Sequence, residues 1–329
     1  MKLSAIDRGA PFALLGPGFG RGREVLVEGL QPCGPTGRPG AAVAYAPFEA
    51  RRPLLFQGHV QPIDLELDVP PQQLEPVLDE RGYREAVEAV REAIAAGDVY
   101  QVCHTVRAGL RPVSGSGLMA TLCAQGLPRF AAWVRLPDGT EFVSASPELF
   151  FETQGRQVHT EPMKGTARPK EGGKLEASEK DRAELAMITD LLRNDLTPVC
   201  RPRSVEVPCA RRFVALPYAL QAVSDVTGVL AQGKGPLDVL QALHPGGSVT
   251  GAPKRAALDF IGRLEDTPRG AYCGALGLIE GERSAFGLLI RTATKTEDGW
   301  SYGVGSGVVY DSNAEAELEE LRVKLGALR

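Results

Sequence analysis

A glycine-rich stretch reads Pro-Gly-Gly-Ser-Val-Thr-Gly-Ala-Pro-Lys from Pro245 to Lys254 and runs into a helical pattern that continues to Leu264. Proline near the start of a helix fits a first-turn position. Backbone N–H groups at such a start attract anions, and carboxylates bind there as readily as phosphates. The stretch therefore predicts either a loop that binds an anion ahead of a helix or a tight turn without a ligand.

Helices and strands are both predicted on either side of this loop. Helical periodicity covers 83–96, 174–196, 236–243 and 314–328, and β-like segments cover 99–106, 130–144, 275–279, 285–292 and 301–309, with a turn at Gly109. The first seventy-odd residues are rich in glycine, proline and arginine, which predicts short strands joined by turns. The glycine run at 14–22 is interpreted as turns rather than a phosphate loop, because no Lys-Ser/Thr pair follows it. The pair Pro70-Pro71 marks a linker.

Composition excludes several classes of protein. The 329 residues are 43% hydrophobic and 24% charged, with a formal net charge of −4, which is typical of a globular protein and disfavours a nucleic-acid partner. Six irregularly spaced cysteines without a C-x-x-C pair favour free thiols in a reducing compartment, and four unclustered histidines argue against zinc. Without a signal-like N-terminus or an apolar run long enough to span a membrane, the chain is expected to be cytoplasmic.

Glu148 and Lys164 flank a predicted hairpin around Gly155 and are the first candidate catalytic pair. A shielded carboxyl group can act as a general acid. A lysine whose ammonium is destabilised by its surroundings can act as a nucleophile. Taken alone, the pair is better explained as two exposed side chains at strand ends, because this spacing carries little information.

Acidic side chains on two helices are candidate metal ligands. Glu184 lies at the edge of an apolar stripe, where a carboxylate needs a partner, either Mg²⁺ or an arginine. On the C-terminal helix, Glu317, Glu320 and Lys324 share one face and suit a metal and an anion, although a solvated face is the usual explanation of such charges.

A last group of residues could hold a carboxylate substrate. Arg291 ends an apolar strand, and arginine binds carboxylates through two parallel hydrogen bonds. Tyr272 and the closely spaced Gly303, Gly305 and Gly307 are near it in sequence, and such glycines let backbone approach a ligand. Together the groups predict a site for a small di-acid with an acid, a nucleophile and a possible metal.

Six ordered segments resemble the chorismate-utilising enzymes, a family with anthranilate synthase component I, aminodeoxychorismate synthase component I, and the isochorismate and salicylate synthases. The resemblance covers roughly residues 80–329, and the N-terminal part matches poorly. Its strongest stretches are residues 146–148, 162–166, 190–195, 245–254, 269–277 and 305–312.

The resemblance implies an α+β fold, with a large antiparallel β-sandwich surrounded by helices. It divides the chain into an N-terminal strand-and-turn segment at 1–75 that contributes to the sandwich and a chorismate-binding catalytic domain at 76–329. It implies Mg²⁺ held by Glu184 and Glu320, with Glu317 close by. The implied substrate-binding groups are Tyr272, Arg291, Lys324 and the backbone at Gly165, Gly305 and Gly307.

Two positions distinguish among family members. Gln101 stands where isochorismate and salicylate synthases have a water-activating lysine, and glutamine cannot serve as that base. Lys164 stands where anthranilate synthases typically have alanine. The resemblance implies that Lys164 attacks ring C2 while Glu148 protonates the departing C4 hydroxyl. Ammonia then adds at C4 and expels the lysine, so that the pyruvyl group is retained.

The expected activity is that of aminodeoxychorismate synthase component I, on the route to p-aminobenzoate and folate. Its ammonia would come from a glutamine amidotransferase partner, because no Gly-x-Cys-x-Gly nucleophile motif is present. Anthranilate synthase component I is the alternative, disfavoured by Lys164 and a short N-terminal region. A non-catalytic subunit that kept the fold is the third hypothesis. Gln221 departs from the histidine of many relatives, so no histidine-assisted step is inferred.

Overall fold

A computed structural model describes residues 1–6, 9–34, 41–167, 172–215 and 220–328. Its strands are β1 Phe12–Gly20, β2 Arg23–Pro32, β3 Ala42–Ala46, β4 Leu54–Ile63, β5 Gln101–Leu110, β6 Phe130–Arg135, β7 Glu141–Ser146, β8 Leu149–Gln154, β9 Gln157–Thr160, β10 Met163–Ala167, β11 Glu206–Ala215, β12 Leu220–Val229, β13 Gly251–Ala252, β14 Ala275–Glu280, β15 Arg283–Leu288, β16 Thr292–Thr296 and β17 Gly299–Val308. Its α-helices are α1 Glu80–Ala95, α2 Gly115–Leu122, α3 Gly172–Ala177, α4 Glu179–Leu196, α5 Pro236–Leu243, α6 Lys254–Leu264 and α7 Ala314–Leu325.

Antiparallel pairing links all of these strands into one open sheet. From β12, which pairs with β9, β10 and β11, the order runs β9-β8-β15-β14-β3-β4-β2-β1-β6-β7-β16-β17-β5-β13. The predicted α+β class with a large antiparallel sheet is confirmed. The division of that sheet into the two layers of a sandwich stays a prediction, as does the domain boundary at residue 75.

One apolar cluster lies within the sheet, where β1 contacts β14 and β15 and β6 contacts β15, although neither β1 nor β6 is paired with those strands. Leu15 and Phe19 of β1 meet Phe130 of β6 and Leu276 of β14 there, all at most 1% exposed. The rings of Phe19 and Phe130 meet edge to face, with centroids 5.1 Å apart. Such burial is the main favourable term in folding, so this cluster holds distant stretches of the sheet together.

A second cluster lies between the sheet and its helices. Tyr83, Val87 and Val90 of α1 are buried one helical turn apart, as the sequence predicted, and Leu318 and Leu321 of α7 join them. The carboxylate of Asp79 caps α1 by accepting a hydrogen bond from the Gly82 amide at 3.0 Å. Helices α1 and α7 contact each other, and both contact β17. The acidic face of α7 is thereby held beside the glycines of β17.

Three local predictions are wrong, two because strand pairing overrides local sequence and one because a serine cap divides a predicted helix. β5 continues through the predicted turn at Gly109, which pairs with Ser301 of β17. The predicted helix 174–196 is two helices, because Ser178 caps α4 through its side chain and ends the first helix. Strand β1 runs through most of the glycine run at 14–22 with a register shift, and the turn comes at Arg21 and Gly22, both with positive φ.

Helices α1, α5, α6 and α7 and the hairpin at Gly155 lie where the sequence predicts them, whereas helix α2 was not predicted. Helix α5 has the predicted bounds, and α6 ends at Leu264. Gly155 has φ +56° between β8 and β9, which is the left-handed conformation that glycine adopts without strain. All six cysteines are free thiols. Within the described ranges, no helix combines the length and apolar character that a membrane crossing requires.

Replacing Phe286 with alanine is expected to lower the free energy of unfolding by about 3–5 kcal/mol, because it leaves a cavity in the sheet core. Phe286 is fully buried and stacks on Phe151 with centroids 4.4 Å apart. Equilibrium unfolding in urea measures the change. Phe213→Ala is the matched control, at no more than about 1 kcal/mol, because Phe213 is 37% exposed and has only the Arg211 guanidinium over its ring. Equal losses for the two variants would contradict the assignment of Phe286 to the core.

Candidate active site

Lys164 lies in β10, opposite Ala222 of β12, immediately before a break in strand register. Gly165 makes this break with φ +79°, and a Cβ atom there would come within 2.7 Å of Leu175 Cδ1 and 2.9 Å of Asp181 Cγ. Only glycine combines this backbone conformation with so close an approach to α3 and α4. The bulge therefore places Lys164 against the helices that follow it.

The Lys164 ammonium faces Glu184 of α4. Its Nζ lies 3.5 Å from Glu184 Oε2, and both side chains are about one-fifth exposed. Lys180, one turn earlier on α4, lies 3.9 Å from the other carboxylate oxygen. A half-buried carboxylate thus sits between two ammonium groups, one of them from the sheet. Two of the predicted site residues are brought together from separate segments of the chain.

Gly307 of β17 lies between Lys164 and Gln101 of β5. A Cβ atom on Gly307 would be 2.5 Å from Gln101 Nε2 and 3.6 Å from Lys164 Nζ. Glycine at this position therefore leaves room for the two side chains to approach the same space. Gln101 is 2% exposed, and its Oε1 has no hydrogen-bond partner among the described residues. A buried acceptor in that condition is available to a ligand that can donate a hydrogen bond.

Glu148 lies between β7 and β8 and is 7% exposed. Burial raises the pKa of its carboxyl group to about 8, and the opposing effects of Lys164 and of a hydrogen bond with the Ser248 side chain are weaker. Glu148 is therefore protonated at neutral pH, the state that a general acid requires. Sequence reasoning missed Ser248, and its only signal was a hydroxyl within the glycine-rich loop.

Helix α7 presents Glu320 and Lys324 to the same region. Lys324 Nζ lies 2.7 Å from Glu320 Oε1 and donates a hydrogen bond of 2.7 Å to the Gly305 carbonyl. Burial acts to raise the pKa of Glu320, but Lys324, Lys164 and Lys180 together outweigh it and lower that pKa. Glu320 is therefore within electrostatic reach of Lys164 on β10 and of Lys180 on α4.

Glu317 occupies a more enclosed position on α7. It is 7% exposed, and one carboxylate oxygen accepts a hydrogen bond of 2.7 Å from Ser312 Oγ. Burial raises the pKa of Tyr83, and the charges of Glu317 and Glu320 raise it further. The Tyr83 hydroxyl in turn lies 2.7 Å from Ser306 Oγ, in the glycine stretch of β17. This tyrosine–serine contact was not predicted from the sequence, and it links α1 to β17 between Gly305 and Gly307.

Tyr272 and Arg291 occupy neighbouring backbone segments. A Cβ atom on Gly303 would come 2.2 Å from Tyr272 Cδ1, so the tyrosine ring packs directly on β17. Burial raises the pKa of Tyr272 well above its ordinary value, which keeps its hydroxyl a hydrogen-bond donor. Arg291 has φ +52° between β15 and β16, and its carbonyl accepts from the Ala145 amide at 3.0 Å. Their roles in binding substrate carboxylates stay predictions.

Glu184 and Glu320 suit a magnesium ion chemically. Both offer carboxylate oxygens, which are the ligands that Mg²⁺ prefers, and neither carboxylate is fully buried. Lysine ammonium groups lie 3.5 Å and 3.9 Å from the two Glu184 oxygens and 2.7 Å from Glu320 Oε1, and a magnesium ion would replace these contacts. Glu317 stands one turn from Glu320, and its bonded oxygen is committed to Ser312.

A second acidic cluster, at β9 and β12, does not suit a metal. Ligand atoms of His159, Glu161 and Asp225 lie within 4.8 Å of one another. However, Arg212 donates to both Glu161 and Asp225, and Arg129 donates to Glu161 at 2.7 Å. Guanidinium groups therefore already neutralise these carboxylates, and the cluster is an ionic network.

Comparison with known proteins places this geometry in a family. Residues 43–329 match the model of the chorismate binding enzymes. The chain is 38% identical over 266 residues to an aminodeoxychorismate synthase of Streptomyces pristinaespiralis, covering 75% of this chain and 36% of that protein. It is 36% identical over 262 residues to anthranilate synthase component 1 of Streptomyces coelicolor, covering 76% of this chain and 51% of that protein. The chain thus spans about a third to a half of the length of these relatives.

Solved structures share the fold. Anthranilate synthase component I of Streptococcus pneumoniae superposes with a TM-score of 0.77 at 20% identity, covering 98% of this chain and 91% of that one. The menaquinone-specific isochorismate synthase of Escherichia coli superposes with a TM-score of 0.82 at 18% identity, covering 99% and 89%. Because the family model matches residues 43–329, the chain belongs to the chorismate-binding enzymes.

Proposed function

We propose that this chain acts as aminodeoxychorismate synthase component I and converts chorismate and ammonia to 4-amino-4-deoxychorismate. The carrying observation is the position of Lys164, with its Nζ 3.5 Å from Glu184, beside Gln101 and near enough to Glu148 to influence its pKa. The amine that would act as the nucleophile and the protonated carboxyl group are therefore placed to act on the same substrate. Both are needed to replace a ring hydroxyl with an amine.

Chorismate is a dicarboxylate, and the site offers cations for both ends of it. Lys324 has donors beyond those used by Glu320 and Gly305, because an ammonium group donates three hydrogen bonds. Arg291 and Tyr272 are the proposed contacts of the other carboxylate. Magnesium held by Glu184 and Glu320 would supply positive charge to the ring carboxylate when bound.

The proposed chemistry balances in two displacements. Lys164 first loses its ammonium proton to solvent. Its neutral Nζ then forms a bond to ring C2, both ring double bonds shift, and the C4–O bond breaks. Glu148 gives its proton to the departing hydroxyl, which leaves as water. Ammonia then bonds to C4, the C2–N bond breaks, and the lysine amine is regenerated. The surplus ammonia proton returns to the Glu148 carboxylate, so the net reaction exchanges water for ammonia at C4.

Gln101 supports ammonia rather than water as the incoming group. Its amide cannot take a proton from water, so it provides no base for hydroxide formation. Its unpartnered, buried Oε1 can accept a hydrogen bond from an N–H of ammonia. This role of Gln101 agrees with the proposal that ammonia, and not water, adds to the ring.

A glutamine amidotransferase is the proposed source of ammonia. Several of the relatives are named as a component 1, among them aminodeoxychorismate synthase component 1 of Salmonella typhimurium at 40% identity over 203 residues. A subunit with that name works with a second component, and the described site offers no cysteine nucleophile. The product would serve the synthesis of p-aminobenzoate and folate, and the catalysis would be cytoplasmic.

Anthranilate synthase component I is the alternative function, supported by relatives of equal similarity with that name. In that chemistry ammonia itself attacks C2, and no lysine nucleophile takes part. The presence of Lys164 at the centre of the site favours the aminodeoxychorismate product over anthranilate.

Replacing Lys164 with alanine is expected to abolish formation of aminodeoxychorismate, because the nucleophile is lost. Mass spectrometry of the products from chorismate, Mg²⁺ and ammonium makes the test. Lys180→Ala is the matched control, since it removes the other ammonium beside Glu184 but leaves product identity unchanged. Anthranilate as sole product of the unsubstituted chain would reject the proposed function.

The turnover rate is expected to fall as pH rises through about 8, because Glu148 loses the proton that it must donate above that pKa. Below that pH the acid form is fully populated. Rates are compared at constant free ammonia, so that the titration of ammonium does not enter. Glu148→Gln should lower turnover by about 10²–10⁴-fold. Glu152→Gln, in the adjoining strand, is the control and should keep the fall in rate above about pH 8. If that fall also survived in Glu148→Gln, the donated proton would belong to another group.

Removing Mg²⁺ with EDTA is expected to stop turnover, and added Mg²⁺ to restore it. Glu184→Gln and Glu320→Gln should each raise the Mg²⁺ concentration for half-maximal activity by at least about 10-fold, since even outer-shell changes cost that much. Glu319→Gln is the control, because that neighbouring carboxylate is 64% exposed and pairs with Arg322. Full activity in EDTA would show that neither glutamate acts through a metal.

A further inference from the structure

Arg269 is a charged side chain that the proposed chemistry does not use, yet it is only 1% exposed. Its guanidinium donates to the Val249 carbonyl and to the Cys103 carbonyl, both at 2.6 Å. It also makes a two-pronged contact with Glu265, with both hydrogen bonds at 2.7 Å. The Phe48 ring covers the guanidinium at 4.3 Å from its centroid. A buried charge with this many partners is highly constrained in position.

The two carbonyls belong to the segments that carry candidate site residues. Val249 follows Ser248, the partner of the Glu148 carboxyl. Cys103 lies two residues after Gln101 in β5, and its amide donates to the Thr250 carbonyl at 2.7 Å. One guanidinium therefore ties the glycine-rich loop to the strand that carries Gln101.

Glu265 extends the same connection along β5. One of its oxygens accepts from the Thr105 amide at 2.8 Å and from the Thr105 hydroxyl at 3.1 Å. Burial acts to raise the pKa of Glu265, but the hydrogen bonds and charge of Arg269, together with the Thr105 amide, outweigh burial and lower that pKa to about 2. Glu265 is therefore ionised throughout the physiological range. Loss of Arg269 would leave that charge buried and would release both backbone segments together.

We propose that the Arg269–Glu265 ion pair is a positioning device that holds Ser248 and Gln101 in place across the candidate site. The inference rests on the proposed function. It adds that the reaction requires an ion pair whose side chains do not themselves react. Neither side chain is assigned contact with substrate. Their effect on the reaction is through the orientation of the acid and of the amide that faces the incoming nucleophile, where a displacement of about 1 Å can cost about 100-fold in rate.

A cavity of about 680 Å³ lies beside the Arg269–Glu265 ion pair, and a small molecule that enters it can be used to test the inference. Phe48, His244, Ile261 and Glu265 are among its lining residues. A small cation can therefore approach Glu265 from this side. Free guanidinium fits the space left when Arg269 is shortened, and it can re-form the contacts with Glu265 and with the two carbonyls.

The experiment compares Arg269→Ala with Arg135→Ala. Arg135 also pairs with a buried glutamate, Glu141, at 3.0 Å, but it lies in the β6–β7 hairpin. Arg269→Ala should lower kcat by about 100-fold with the KM for chorismate nearly unchanged, and millimolar guanidinium chloride should restore part of kcat. Arg135→Ala should show neither effect. Equal losses in the two variants, or no response of folded Arg269→Ala to guanidinium, would overturn the inference.

Arg269→Lys keeps the test valid if the alanine variant does not fold. A single ammonium retains the charge beside Glu265 but cannot span Glu265 and both carbonyls. The variant should lose kcat while its thermal unfolding midpoint stays close to that of the unsubstituted protein. A lysine variant with normal kcat would mean that charge alone, and not positioning, is required.

Hydrogen exchange separates this inference from the proposed function, because it needs no turnover. In Arg269→Lys the amides of Cys103 and Thr105 should exchange faster, while those of the β6–β7 hairpin should not change. Unchanged exchange at both amides would reject the positioning role even in an active enzyme. Faster exchange in a protein that produces no aminodeoxychorismate would retain the structural connection and reject only the proposed reaction.

Discussion

The site depends on one electrostatic constraint: the Lys164 ammonium must be balanced by carboxylates that come from other segments of the chain. Glu184 meets it at 3.5 Å from α4, and Glu320 approaches from α7 with a pKa lowered by the surrounding lysines. The same positive charge acts on Glu148, but there burial is the stronger effect and raises the pKa to about 8. The surroundings of Lys164 thus include two carboxylates suited to cations and one suited to donating a proton. Environment, rather than residue type, separates these roles.

Backbone geometry provides this arrangement at a few glycine positions. Gly165 forms the bulge after Lys164, where a side chain would collide with α3 and α4. Gly307 leaves the space in which Lys164 and Gln101 face each other. The glycine-rich loop after Pro245 presents Ser248 to Glu148 and is tied to β5 through Arg269. Close approach of backbone and rigid support from a buried ion pair therefore work together at the site.

Membership of the chorismate-binding enzymes does not by itself select a reaction. Relatives named as aminodeoxychorismate synthases and as anthranilate synthases are nearly equal in identity to this chain. The fold is shared with an isochorismate synthase at a TM-score of 0.82. Selection of the product is therefore expected to depend on a few side chains in a common cavity, foremost Lys164 and Gln101, rather than on architecture.

The sequence by itself determined the elements whose signals are local. Periodic apolar residues and caps gave α1, α5 and α6, Gly155 gave the hairpin, and ordered motifs indicated Glu148, Lys164, Glu184 and Glu320 as candidates. Only the tertiary structure decided that β5 passes through Gly109, that Ser248 contacts Glu148, and that Arg269 joins the loop to β5. The physical reason is that strand pairing, burial and the pKa shifts that follow from burial depend on partners distant in sequence, which local patterns do not specify.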